Sequence, residues 1–169
     1  MSVNPMAHGR NQVVVHFLSG GCVQGYTNGF NPMRGQLDVS LSEAGPSAGK
    51  VRVQLSNVKA VFFVKALRTA PHDDEVLSPE ALQAKPGTRR LVVKFRDGEV
   101  IVGGTHAYSP TLTGFFIEPL NPNTNNEHIF VSRVATDRVR LLLPEEDLGE
   151  VLTEMGVVHE VEAASGDRG

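Results

Sequence analysis

The stretch VVVHFLSGGCVQGYTNGFNP, Val13–Pro32, decides the reading, because the chain writes it twice. LVVKFRDGEVIVGGTHAYSP, Leu91–Pro110, repeats it at an offset of 78 residues. At that offset Val14/Val92, Val15/Val93, Phe17/Phe95, Gly20/Gly98, Gly25/Gly103, Thr27/Thr105 and Pro32/Pro110 are identical. Seven identities in twenty aligned pairs far exceed the roughly one that chance would supply, so an internal repeat organises the chain. The offset continues through Val51/Ile129, Val53/Val131, Val61/Val139, Phe63/Leu141 and Val64/Leu142.

Each copy reads as β. Val13–Phe17 and Leu91–Phe95 are rich in β-branched and aromatic residues, which suit a pleated, half-buried surface. Ser19-Gly20 and Asp97-Gly98 follow. Asp-Gly between apolar runs predicts a hairpin with a type I′ turn. Second strands are expected over Cys22–Phe30 and Glu99–Tyr108, with Gly25 and Gly103 marking a bend. Third strands fall at Gly35–Leu41 and Gly114–Glu118. Val51–Leu55 with Lys59–Val64, and Ile129–Arg133 with Arg138–Leu142, supply the fourth and fifth. Phe17 and Phe95 are expected in equivalent buried sites.

Working outward, Lys65–Arg90 reads as a linker with Pro71, Pro79 and Pro86 and an acidic patch at Asp73-Asp74-Glu75. Within it Ser78-Pro79-Glu80-Ala81-Leu82-Gln83 has the signs of one capped helical turn. After the second copy, Pro144–Gly156 carries helix signals: proline at the first position, acids in the first turn, glycine at the end. Leu148, Val151, Leu152 and Met155 share one face of that helix. The organisation expected is a tail over 1–10, a first repeat over 11–65, a linker over 66–90, a second repeat over 91–143, a short amphipathic helix over 144–156 and a tail over 157–169.

Composition narrows the function classes. The net charge of −3 and the lack of a basic run argue against a dedicated nucleic-acid binder. The single cysteine, Cys22, excludes an intrachain disulfide framework and a multi-cysteine zinc site. Six histidines are scattered without metal-ligand spacing. Apolar runs such as Val61–Val64 are too short to span a membrane. The first ten residues lack the apolar core of a secretory signal. A cytoplasmic location is therefore expected.

Strand, glycine turn, bent strand with a central glycine, then a phenylalanine or tyrosine: this order resembles the Sm/LSm module, a small SH3-like barrel. Val13–Phe17, Gly20, Gly25 and Phe30 carry the resemblance in the first copy, and Leu91–Phe95, Asp97-Gly98, Gly103 and Tyr108 in the second. The resemblance implies a barrel fold but not an RNA site. The family's base-binding stretch is replaced by Asn31-Pro32-Met33-Arg34-Gly35 and Ser109-Pro110-Thr111-Leu112-Thr113. Its closing Arg-Gly loop is replaced by Leu55-Ser56-Asn57-Val58 and Arg133-Val134-Ala135-Thr136. The second copy, Val92–Leu142, also resembles an uncharacterised bacterial module that accompanies signalling domains. Arg89-Arg90 before a barrel is similar to the arginine element of PilZ domains, which bind cyclic dinucleotides. The Asp-x-Ser-x-x-Gly partner motif is not matched, because Asp38-Val39-Ser40-Leu41-Ser42-Glu43 lacks the glycine.

Candidate chemistry is sparse. Cys22 aligns with Val100 and reads as a small core residue; His16 aligns with Lys94 and reads as exposed. Gly20-Gly21 and Gly103-Gly104 are turn or bend glycines, since no following helix makes a phosphate site. Asn125 and Asn126 lie in a polar loop beside Phe115-Phe116, one of whose rings an alternating strand must turn outward. An exposed aromatic beside a polar loop suits a protein partner. The partner-binding candidates are Tyr108, Phe115, Phe116, Asn125 and Asn126, with Leu148, Leu152 and Met155 should the helix serve a partner groove. No catalytic, metal or cofactor residue is assigned. The expectation is a mainly β protein of two tandem barrels packed about a pseudo-two-fold axis, acting as a non-enzymatic regulatory adaptor. A cyclic-dinucleotide barrel or an Sm-like RNA binder is the alternative.

Overall fold

The computed structural model describes residues 10–43, 49–67, 86–120 and 124–157. The first half contributes β1 (Asn11–Phe17), β2 (Cys22–Thr27), β3 (Gln36–Ser40), β4 (Lys50–Gln54) and β5 (Val58–Val64). The second contributes β6 (Arg89–Phe95), β7 (Val100–Thr105), β8 (Gly114–Pro119), β9 (Asn126–Ser132) and β10 (Thr136–Leu141), then helix α1 (Leu148–Glu154). The expected capped turn at 78–83 and the tails at 1–9 and 158–169 lie outside the described residues.

The ten strands form one open antiparallel sheet in the order β10-β6-β7-β8-β9-β5-β1-β2-β3-β4. Each half runs in the same internal order, with its fifth strand beside its first and the rest following. The repeat seen in the sequence is thus a repeat of topology. The arrangement differs from two separate barrels about a two-fold axis. The fifth strand of the first half, β5, pairs with the fourth strand of the second, β9. Unlike strands meet, so the halves are related head to tail. A two-fold would need like strands to meet.

Local chemistry explains the strands. The hairpin loops close with Gly20 N–H donating to the Phe17 carbonyl and Gly98 N–H to the Phe95 carbonyl. Among the described residues only glycines have positive φ, with 92° at Gly20, 77° at Gly21 and 94° at Gly98 in these hairpins. The central turn residues, Leu18-Ser19 and Arg96-Asp97, have no positive φ, so neither turn is type I′; each is a three-residue loop closed by a left-handed glycine. The bends at Gly25 and Gly103 rest on close approach. A Cβ on Gly25 would lie 2.2 Å from the Ser40 carbonyl oxygen, and on Gly103 2.7 Å from that of Glu118. Ser40 and Glu118 are themselves 78 apart.

The pleat then sorts the core. Val13, Val15, Leu37, Val39, Val53, Val58, Val61 and Phe63 form the first half's cluster. Alternate residues of the same strands, Val14, Ala60, Phe62 and Val64, join Leu91, Val93, Phe95, Ile117 and Val131 in the second half's cluster. The outer face of the first half is therefore covered by the second. The second half's own outer face, Val92 and Leu142, is covered by α1 through Leu148, Val151, Leu152 and Met155. The helix begins later than Pro144. Asp147 is its N-cap, accepting from Glu150 N–H at 3.0 Å. Glu146 is drawn away to Arg140 at 2.6 Å and to the Leu143 N–H.

Three single-residue expectations change. Cys22 is exposed, whereas its counterpart Val100 packs against the cluster that α1 forms. His16 is half-buried with its ring 4.9 Å from Phe62. Phe95 is buried, but Phe17 only partly so.

Candidate interaction surfaces

An aromatic cluster sits where the halves join. Phe30 comes from the loop after β2, Phe63 from β5, Phe116 from β8, and His128 and Phe130 from β9. Ring centroids are 4.9 Å apart for Phe30–Phe130, 5.3 Å for Phe116–Phe130, 6.0 Å for Phe30–Phe116 and 4.4 Å for the stacked Phe63–His128 pair. Phe116 is 37% exposed, while its neighbour Phe115 points inward at 3%. The strand alternation thus turns one of the pair outward. Burial pushes the pKa of His128 below the ordinary imidazole range, against the opposing pull of Glu127 and Glu118.

The other candidates are placed as follows. Tyr108 packs edge-on to Phe115 at 4.9 Å and lies under the Arg133 guanidinium at 5.6 Å. Arg133 in turn donates to the Ser109 carbonyl at 2.7 Å, which ties down the loop between β7 and β8. Asn125 is a clasp: its Nδ2 donates to Ala66 O at 2.9 Å and its Oδ1 accepts from Ala66 N–H at 3.2 Å. Asn126 stands opposite Val64 in the β5–β9 ladder. Leu148, Leu152 and Met155 are buried against the chain's own sheet, which takes them off the surface a partner could reach. Arg90 donates one guanidinium nitrogen to the carbonyls of Leu143, Pro144 and Glu146. The arginine pair compared with PilZ is half committed to holding the segment before α1.

A second surface lies at the far edge of the sheet. Among the described residues β4 has a strand neighbour only on the β3 side. Beside it is an open groove of about 340 Å³ lined by Phe17, Leu18, Ser19, Asn57 and residues 51–54. Arg52 makes a two-pronged bond to Asp38, at 2.8 and 3.1 Å, with Lys50 3.6 Å from the same carboxylate. The hydrogen bond from Arg52 holds Asp38 below the usual carboxylate range.

The counterpart of that groove in the second half is filled. There β5 lies along β9, and Lys59 enters above the Phe95 ring, 4.6 Å from its centroid. Its ammonium reaches Asp97 at 2.7 Å and also Glu99. Burial works against that charge, but the hydrogen bonds to Asp97 and Glu99 outweigh it and raise the lysine's pKa. The filling explains why Phe95 is covered and Phe17 is not. Sequence reasoning missed Lys59 and the groove. The usable signal was the pairs at which the copies disagree, such as Ser19 against Asp97 and Arg52 against Phe130.

Among the described residues no group of histidine, cysteine or acidic side chains could hold a metal ion, and no helix is long and apolar enough to cross a membrane. Residues 9–143 match a family described as a family of unknown function, DUF6982. No curated protein and no solved structure matches the chain.

Proposed function

We propose, from the premise that this chain belongs to the DUF6982 family over residues 9–143, that it is a non-enzymatic protein–protein interaction module. The observation that carries this reading is the aromatic cluster at the joint, which brings Phe116 to the surface at 37% exposure. Aromatic side chains with rigid packing behind them are the usual energetic centres of protein interfaces. Phe30, Phe63 and Phe130 provide that packing. A partner that covers Phe116 gains apolar burial without ordering a flexible side chain. In this reading each half is a small Sm-like or SH3-like module, and the protein is a regulatory adaptor in a bacterial cytoplasm.

The test is affinity capture from the native host with the full chain and with Phe116→Ser. Wild type should retain a partner that the variant loses. The variant's melting temperature should stay near that of wild type, since half-exposed positions tolerate substitution better than the core. An unchanged set of captured proteins overturns the reading. So does sub-micromolar, salt-sensitive binding of single-stranded RNA, or sub-micromolar binding of cyclic di-GMP, measured by fluorescence polarisation.

A further inference from the structure

The molecule contains a filled and an open version of one groove. In the second half, the site beside Phe95, Ile129 and Val131 takes β5 as an added antiparallel strand, with Ala60 opposite Val131 and Phe62 opposite Ile129. In the first half, the same site beside Phe17, Val51 and Val53 is open, and on the side away from β3 its edge strand β4 has no neighbour among the described residues. We propose that the β4 edge takes an extended peptide segment of a partner protein, alternating acidic and apolar residues, as an added antiparallel strand.

The apolar half of that pattern comes from the groove. Val51 and Val53 occupy the places of Ile129 and Val131, which meet Phe62 and Ala60. A strand added to β4 therefore turns every second residue toward a valine-lined face, as an incoming strand does in edge addition. The acidic half comes from the intervening positions. In the filled groove these are His128 and Phe130, facing Phe63 and Val61. In the open groove they are Lys50 and Arg52. Two cations share the single carboxylate of Asp38, so this face keeps a net positive charge. Opposite charges directly across a ladder attract and like charges repel. A glutamate or aspartate opposite each cation completes the match.

A second copy of this chain does not fit the site. The strand equivalent to β5 is β10, which has Arg138 and Arg140 where β5 has Ala60 and Phe62. Head-to-tail addition would turn both arginines onto the valine face. Arg140 is also held by Glu146 at 2.6 Å, and the neighbouring outer face carries α1. The helix ends the series that the first joint begins.

The experiment uses the full chain and two labelled synthetic peptides, Val-Glu and Val-Lys alternating octamers, read by fluorescence polarisation at low and high salt. The Val-Glu peptide should bind about tenfold more tightly than the Val-Lys peptide, from two cross-strand charge pairs. Its affinity should fall with salt and with Arg52→Glu. Hydrogen exchange on the wild-type protein should slow at residues 50–54 when the Val-Glu peptide is added, and this readout stands even if the variant folds poorly. Equal affinity for the two peptides, no binding of Val-Glu, or protection elsewhere overturns the proposal. Sedimentation showing a wild-type dimer that Arg52→Glu dissolves would assign the edge to a second copy and overturn it too. None of these readouts depends on Phe116.

Discussion

At the scale of single residues, His128 is the most informative side chain. Its ring is stacked on Phe63 and edge-on to Phe116 at 5.7 Å, and burial lowers its pKa. Between the ordinary value near 6.5 and the lowered one, the unfolded chain binds a proton that the folded chain refuses. Stability is therefore lost as pH falls through that window. Urea midpoints measured between roughly pH 7.5 and pH 5.5 should decline for wild type and flatten for His128→Phe. An equal decline in the variant would place the titration elsewhere. Residues of this kind are poorly legible in a sequence. His16, His106 and His128 look alike in the chain, and only packing decides that one stacks on Phe63 while another, His106, stays exposed with Glu118 3.3 Å away. Glycines were easier to read. Gly25 and Gly103 stand out because the repeat places both in mid-strand, although the reason, a neighbouring carbonyl too close for a Cβ, is a tertiary one.

At the scale of elements, α1 takes the place on the second half that the second half takes on the first. A seven-residue helix has little stability of its own in water, so its docking holds it. Leu148, Val151, Leu152 and Met155 are each at most 5% exposed. Burial of such side chains contributes about 1.5–3 kcal/mol apiece as an upper estimate. Truncation after Leu143 should therefore lower the melting temperature by about 10 °C or more and expose Val92 and Leu142 to a hydrophobic dye. A truncated protein as stable as the full chain would mean that the helix docks elsewhere. The helix itself was legible from its apolar face and terminal glycine. Its start was not, because Glu146 is claimed by Arg140 and Asp147 caps in its stead. That competition depends on where β10 ends in space.

For the whole molecule, β5 is the shared element. Val58, Val61 and Phe63 belong to one hydrophobic cluster, and Ala60, Phe62 and Val64 to the other. Neither half can lose its core without disturbing the strand that closes its neighbour. The full chain should therefore unfold in a single calorimetric transition, with calorimetric and van't Hoff enthalpies in agreement. Phe62→Asp, which places a charge in the second half's core, should lower that one transition without splitting it. Two resolved transitions, in wild type or in the variant, would show two autonomous halves instead.

The sequence by itself determined the β class, the repeat, its offset, the ten strands to within a few residues, and the short helix after them. These follow from periodicities of two and 3.6 and from turn residues, which act over a few positions of the chain. Only the tertiary structure decided that the halves share one sheet, that they meet head to tail through β5 and β9, and that one groove is filled while its twin is open. The pairing of strand edges depends on which backbone groups remain unpaired after each half has folded. It also depends on side chains far apart in sequence, such as Lys59 with Asp97 and Glu99, whose attraction no local pattern encodes.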